Sequence, residues 1–178
     1  MTQARAGLRE TCRAEVEEIL ARYPERRSAL LPLLHLVQRE EGYISEAAMR
    51  EVAEIVGCRP VDVFDVVTFY TVYHRQPVGK YLLEVCRTLS CALLGGRKLT
   101  RHLEERLGIQ AGETTADGLF TLREVECIGA CSNAPAMLIN NRIYENLTPE
   151  KLDAILEQLR AEASERVAPP EGERQGLP

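Results

Sequence analysis

Apolar residues recur at helical spacing through the first seventy positions and change to short strand-like runs after Gly79. Leu8, Cys12, Val16, Ile19 and Leu20 stand three or four apart, apart from the last adjacent pair, which predicts an amphipathic helix over 8–23 ended by Pro24. Ser28 is the expected cap of the next helix, with Pro32 tolerated near its first turn. Leu30, Leu31, Leu33, Leu34, Leu36 and Val37 make that helix strongly apolar and place it at the centre, and Gly42 closes it. Ser45 caps a third helix carrying Ala48, Met49, Val52, Ile55 and Val56, which Gly57 terminates. Pro60 suits the first position of a fourth helix reaching about Tyr70. Short helices joined by short loops imply an antiparallel bundle.

Beyond Gln76-Pro77-Val78-Gly79, Tyr81, Leu82, Leu83 and Val85 make Lys80 to Cys86 strand-like. Ala92 to Leu107 reads as a helix with Leu93, Leu94, Leu99, Leu103 and Leu107 on one side, ended by Gly108. Leu119 to Val125 is a second strand. Ala136 to Ile139 and Arg142 to Tyr144 form a hairpin around Asn140-Asn141, residues that accept positive φ. Thr148-Pro149 caps and starts a last helix with Leu152, Ile155, Leu156 and Leu159 as its apolar stripe. The order β-α-β-β-α is that of a thioredoxin-like domain, a small mixed sheet with helices packed on it. The chain is thus expected to divide into a helical bundle over 1–76, a sheet domain over 77–162 and a tail over 163–178. That tail, with Ala168-Pro169-Pro170-Glu171-Gly172, has too little apolar content to pack.

Composition narrows the function classes. Hydrophobic residues make up 45% of 178 positions, ordinary for a soluble globular protein. No apolar run nears the roughly 20 residues of a membrane helix. A formal net charge of -5 with scattered arginines argues against a phosphate-binding surface, so nucleic acid is not an expected partner. Met1 to Glu10 has no apolar stretch of the secretory kind. Six cysteines in such a chain point to metal ligation or catalysis rather than to a disulfide framework.

Four of the six form two pairs, Cys86 and Cys91 as C-x4-C and Cys127 and Cys131 as C-x3-C. All four are expected in loops at strand ends, where a rigid sheet can aim them. Four thiolates from two loops can enclose one metal centre, and the spacing suits a two-iron cluster. Two ferric ions, two sulfides and four thiolates make a net anion, and an added electron deepens its charge. Cys91 at a helix start would face free N–H groups and the positive end of the dipole. Gly129 lets the Cys127–Cys131 loop turn tightly, and Arg87 is placed to offset charge. Hydrogen bonds, burial and charge set the potential of such a cluster. A structural zinc site also uses four cysteines, though C-x2-C pairs are its usual form. Disulfides and a redox dithiol remain as further readings, the latter lacking its C-x-x-C spacing.

On Thr68-Phe69-Tyr70, on Cys86-Arg87-Thr88-Leu89-Ser90-Cys91 and on Glu126-Cys127-Ile128-Gly129-Ala130-Cys131-Ser132-Asn133-Ala134-Pro135, the chain resembles the 24 kDa subunit family of respiratory complex I, NADH:quinone oxidoreductase. The resemblance runs over nearly the whole length. It implies the α+β class: an N-terminal antiparallel helical bundle followed by a thioredoxin-like [2Fe-2S] ferredoxin domain with a mixed sheet. It implies that Cys86, Cys91, Cys127 and Cys131 ligate one [2Fe-2S] cluster. It also implies docking on a flavoprotein subunit that binds NADH and FMN, with further peripheral-arm subunits around it. The cluster would exchange electrons with FMN, off the main path to quinone, on the cytoplasmic side of the membrane and held there by partners. Related subunits serve NAD-linked formate dehydrogenases and hydrogenases. Outside the family, the rival is a zinc-held structural adaptor.

The chain has no Gly-rich nucleotide loop, since Gly95-Gly96 alone is no G-x-G-x-x-G fingerprint, so NADH and FMN are expected only on the partner. Cys12 falls on an apolar face and reads as a buried free thiol, and Cys58 as free. His35 reads as a core residue and His102 as solvated; with His74 they have no ligand-like spacing. Pro135 stands where thioredoxin-like domains often carry a cis proline, although trans is the general expectation. Phe69 and Tyr70, with Phe64 and Tyr73 nearby, read as core between the two domains, partner contact being the alternative.

Overall fold

Capping residues and proline positions decide where most elements begin. In the computed structural model, which describes residues 7–165, these are α1 (Leu8–Thr11), α2 (Arg13–Ala21), α3 (Leu30–Glu41), α4 (Glu46–Val56), α5 (Pro60–Phe69), β1 (Tyr81–Cys86), α6 (Leu89–Leu93), α7 (Gly96–Leu107), β2 (Phe120–Val125), β3 (Met137–Ile139), β4 (Arg142–Tyr144) and α8 (Pro149–Glu165). The chain divides into two compact units between Val78 and Gly79.

In the first unit, Leu33, Leu34, Val37, Val52 and Val63 are wholly excluded from solvent and hold α3, α4 and α5 together. Ser45 caps α4, its hydroxyl accepting from the Ala48 N–H at 3.2 Å. Pro60 opens α5, and the Asp62 carboxylate accepts from the Arg59 backbone N–H at 3.1 Å. Gln38 pins the chain leaving α5 to α3: its amide donates to Val72 O at 2.8 Å and accepts from the His74 N–H at 2.7 Å.

Several expectations for this unit change. The helix over 8–23 is two helices, broken where Cys12 leaves helical geometry at φ -125 and ψ 30, and α2 stops at Ala21 before Pro24. The first turn of α1 is satisfied from α4 instead: the Glu51 carboxylate accepts from the N–H groups of Leu8 and Arg9 at 2.9 and 2.8 Å. A tertiary cap of this kind leaves no local signature. Ser28 caps nothing, because Arg26–Ala29 forms a 3-10 turn that leads straight into α3. His35 is exposed, its ring 5.0 Å from that of Tyr73, and is not a core residue. Of the four aromatics expected in a core, only Tyr73 is buried, its hydroxyl donating to Leu31 O at 3.1 Å. Phe64 and Tyr70 are exposed, and Phe69 is 77% exposed, so none of the three belongs to the core of this unit.

The second unit is a four-stranded mixed sheet in the order β2-β1-β3-β4. β1 lies parallel to β2, from Tyr81 opposite Phe120 to Cys86 opposite Val125, and antiparallel to β3. β3 and β4 form the expected hairpin, with Asn140 and Asn141 at φ 46 and 68. Asn140 does more than turn: its amide accepts from Leu82 N–H at 2.9 Å and donates to Lys80 O at 2.8 Å, standing in for a strand partner of β1. Leu83, Phe120, Leu122 and Met137 from the sheet pack with Leu103 of α7 and Leu152 of α8. Thr148 caps α8, accepting from the Lys151 N–H at 3.3 Å.

The helix over 92–107 is split by Gly95, at φ 101, into α6 and α7. His102 is half-buried rather than solvated: its Nε2 meets Asp153 Oδ1 at 2.9 Å, and Arg106 donates to the same oxygen at 2.8 Å, tying α7 to α8. The expected tail starts too early, since α8 continues through residues 163–165; the rest of that tail, 166–178, lies outside the described residues. No helix among the described residues is long and apolar enough to cross a membrane.

Leu34 and Leu83, both fully buried, report on the two cores separately. Leu34→Ala and Leu83→Ala should each cost about 2–5 kcal/mol. Urea unfolding followed by proteolysis of each unit measures this. A change under about 1 kcal/mol at either position would contradict the packing described.

Candidate metal centre

The parallel pairing of β1 with β2 puts the C-terminal ends of both strands at one edge of the sheet. Cys86 is the last residue of β1 and is buried. Cys127 stands just beyond the end of β2 and is exposed. The ladder continues one step past the strands, with Arg87 N–H donating to Val125 O at 2.9 Å, so the two chain segments are still held together where the cysteine loops begin. Cys91 lies inside α6, buried, and Cys131 opens a 3-10 turn (Cys131–Asn133) ahead of β3.

Cys86 therefore ends a strand and Cys91 lies in the helix that follows, as the sequence implies, so of the four only Cys127 and Cys131 stand outside strands and α-helices. The expectation of a long helix behind Cys91 changes. α6 has only five residues, and the long helix α7 starts at Gly96. Arg87 is not free to offset charge in the centre, because its guanidinium is engaged by Glu126 at 2.6 Å.

The sulfurs of Cys127 and Cys131 are 3.6 Å apart. Gly129, at φ 81, turns the loop so that its N–H points at Cys127 Sγ from 3.5 Å. Cys86 and Cys91 form the other pair, within hydrogen-bonding reach of each other. Burial opposes ionisation of Cys86, but the N–H groups of Thr88 and Ile128 and the Cys91 thiol outweigh it and hold the thiol below its ordinary value. Burial pushes Cys91 up, and Cys86 adds to this. Cys127 pushes Cys131 up in turn, with Cys86 adding to it, and Cys131 is felt at Cys91. Cys86 and Cys131 both act on Cys91, and Cys86 on Cys131, so the two pairs share one electrostatic environment.

Ala130 and Ala136 are buried against Cys86 and Cys91, with Ile128 and Ala134 packed around them. The Ala134–Pro135 peptide bond is cis. Among the described residues, no three His, Cys, Asp or Glu side chains converge as a ligand set for a metal ion; the sulfurs stand as two pairs. The donor set fits an iron–sulfur group. Soft thiolate ligands suit a cationic iron–sulfur core, which also relieves the opposition to ionisation at Cys91 and Cys131, and the apolar wall with inward N–H groups is the usual surrounding of such sulfurs.

Cys12 and Cys58 belong to the helical unit, half-buried against its core and unbridged. Sequence reasoning assigns no role to Thr88, Glu126 or Gly96, all of which touch the cysteine segments. A threonine ahead of a short helix and charged residues flanking both cysteine pairs are the available signals.

A mixed four-stranded sheet brings one cysteine pair beside the C-terminal end of each of two parallel strands. The chain belongs to the thioredoxin-like [2Fe-2S] ferredoxin family, whose model matches residues 16–160. It is 47% identical over 157 residues to a subunit of NADH-quinone oxidoreductase from Rhizobium meliloti (strain 1021), covering 88% of this chain and 92% of that one. It is also 47% identical over 149 residues to NADH-quinone oxidoreductase subunit 2 of Thermus thermophilus, covering 82% of each chain. Among solved structures, a chain of an NAD+-reducing [NiFe]-hydrogenase in the air-oxidized state superposes with a TM-score of 0.65 and 25% identity, over 77% of this chain and 24% of that one.

Gly96 begins α7 directly against the cysteine backbone: a Cβ there would lie 2.9 Å from Cys91 O and 3.0 Å from Cys86 O. Gly96→Ala should lower stability by about 1–3 kcal/mol through this overpacking. The midpoint of urea unfolding measures it. A midpoint equal to that of the wild type would mean that the two carbonyls yield freely.

Proposed function

We propose that this chain is the electron-transfer subunit of an NADH:quinone oxidoreductase of the complex I type, with one [2Fe-2S] cluster on Cys86, Cys91, Cys127 and Cys131. The observation that carries the reading is the meeting of two cysteine pairs, distant in sequence, at one edge of a parallel strand pair. Family membership and relatives named as subunits of that oxidoreductase support it.

When bound, the cluster supplies a one-electron donor and acceptor. The protein's part is to hold it and set its surroundings. Burial of Cys86 and Cys91 keeps water from one side, while the N–H groups of Thr88, Ile128 and Gly129 stabilise anionic sulfur. Cys127 and Cys131 are exposed, which leaves one side open to an electron partner. In this reading that partner is a flavoprotein subunit holding FMN and NADH, the chain has no complete active site of its own, and other peripheral-arm subunits keep it on the cytoplasmic side of the membrane. Leu89, Leu93 and Leu94, exposed on and just after α6 around Cys91, are apolar surface suited to such a partner. The helices over 1–76 serve as an antiparallel bundle for assembly, and the domain over 77–162 is the electron carrier. The likeness to the hydrogenase chain favours a second host, an NAD-linked hydrogenase or formate dehydrogenase; co-purification with membrane subunits decides against it.

The anaerobically purified protein should contain two irons and two acid-labile sulfides per chain, in keeping with a [2Fe-2S] group. Its low-temperature electron paramagnetic resonance spectrum should be silent as oxidised and show a signal after dithionite. Cys86→Ser should abolish or alter that signal while the far-ultraviolet circular dichroism stays helical. One zinc per chain and no signal would replace this reading with a structural adaptor. An unchanged spectrum in Cys86→Ser would remove that residue from the ligand set.

A further inference from the structure

Arg87 follows Cys86 and Glu126 precedes Cys127, so each cysteine segment carries one member of an ion pair at its root. The Glu126 carboxylate takes three hydrogen bonds from the other segment. Arg87 donates to Oε1 through Nε at 2.9 Å and Nη2 at 2.6 Å, and the Thr88 hydroxyl donates to Oε2 at 3.2 Å. Thr88 stands at the N-cap of α6 yet makes no side-chain cap; its hydroxyl donates to Glu126 and also lies within hydrogen-bonding reach of the Cys86 sulfur. A residue type that ordinarily satisfies its own helix start is thus diverted across the gap between the two segments. Thr88 and Ile128 also place their N–H groups on Cys86, so the backbone on both sides of this contact reaches a sulfur.

We propose that Glu126 is a positioning residue: its carboxylate clasps the Cys86–Cys91 segment to the Cys127–Cys131 loop and keeps the two cysteine pairs at cluster-holding separation. This rests on the cluster reading above. Both partners are largely exposed, so the clasp adds little to global stability. Its effect is local, on the loops that backbone pairing no longer holds beyond Arg87. The carboxylate also adds a negative charge beside an anionic centre, which disfavours reduction.

Two substitutions in the full chain separate position from charge. Glu126→Ala removes both contacts and charge. Glu126→Gln keeps an acceptor for Arg87 and a partner for Thr88 without the charge. The expected result for Glu126→Ala is several-fold faster loss of cluster absorbance under chelator challenge. It should also give faster amide hydrogen exchange over 87–91 and 126–131 in the metal-free protein, with unchanged exchange in α3 and α4. Glu126→Gln should restore near-wild-type exchange and cluster retention, while its reduction potential stays above that of the wild type. Wild-type exchange and wild-type cluster retention in Glu126→Ala would overturn the clasp. So would a Glu126→Gln variant that loses both as fast as alanine, since position and charge would then be inseparable. If the wild type binds no iron, exchange in the metal-free protein still decides: loosening of both loops in Glu126→Ala upholds the clasp, and its absence overturns it. The cofactor reading then falls by itself.

Discussion

The pairing of β1 with β2 is the constraint on which the site depends. Parallel strands end on the same side, and a register that sets Cys86 opposite Val125 delivers Cys127 two residues later to the same edge. Parallel pairing requires a crossover between the strands. Here α6 and α7 supply it, and the second cysteine of the first pair rides at its start. A one-residue slip would turn every side chain of β1 to the opposite face. The alternation of Leu83 and Val85 against the α7 and α8 leucines forbids that slip, so core packing and cysteine placement are one specification.

Burial divides the four thiols unequally. Cys86 and Cys91 belong to a regular strand and a helix, and regular backbone with apolar neighbours makes them inaccessible. Cys127 and Cys131 belong to a turn built on Gly129 and stay open. Rigidity on one side and access on the other is a sensible arrangement for a group that must be retained yet exchange electrons. Fixing a turn costs conformational entropy, which local cross-links offset. The glutamate at the root of that turn, joined to the arginine beyond Cys86, supplies such a link where the ladder stops.

Much of this is legible from residue types alone. Ser45, Pro60, Thr148-Pro149 and Asn140-Asn141 act through their own backbone neighbourhood, so local chemistry predicts their elements correctly. The cysteine spacing, with the motif around it, likewise points to the family that matches. What escapes depends on groups far away in sequence. Glu51 caps α1 from forty-odd positions downstream, so the break at Cys12 has no signal in residues 8–23. Gly95-Gly96 stands in the sequence as a weak pair inside one helix. In the fold Gly95 breaks that helix, and Gly96 is needed because the Cys86 and Cys91 carbonyls lie against it. Adjacency to Cys86 makes Arg87 a natural counter-charge for sulfur, but a better partner waits on the neighbouring segment, which adjacency cannot reveal.

The close approach at Gly96 shows how little freedom the buried side of the site has. α7 is packed on the sheet through Leu99 and Leu103, and its first residue touches the backbone of both buried cysteines. Any movement of α7 must therefore shift Cys86, Cys91 or both. α8 fixes α7 from its other end through the shared carboxylate of Asp153, which takes hydrogen bonds from His102 and Arg106. A chain of contacts runs from α8 through α7 to the two buried thiols, whereas the exposed pair is tethered by the turn at Gly129 and by Glu126. Disturbing the core should therefore be felt first at the buried sulfurs, and disturbing the surface clasp at both cysteine segments where the ladder ends.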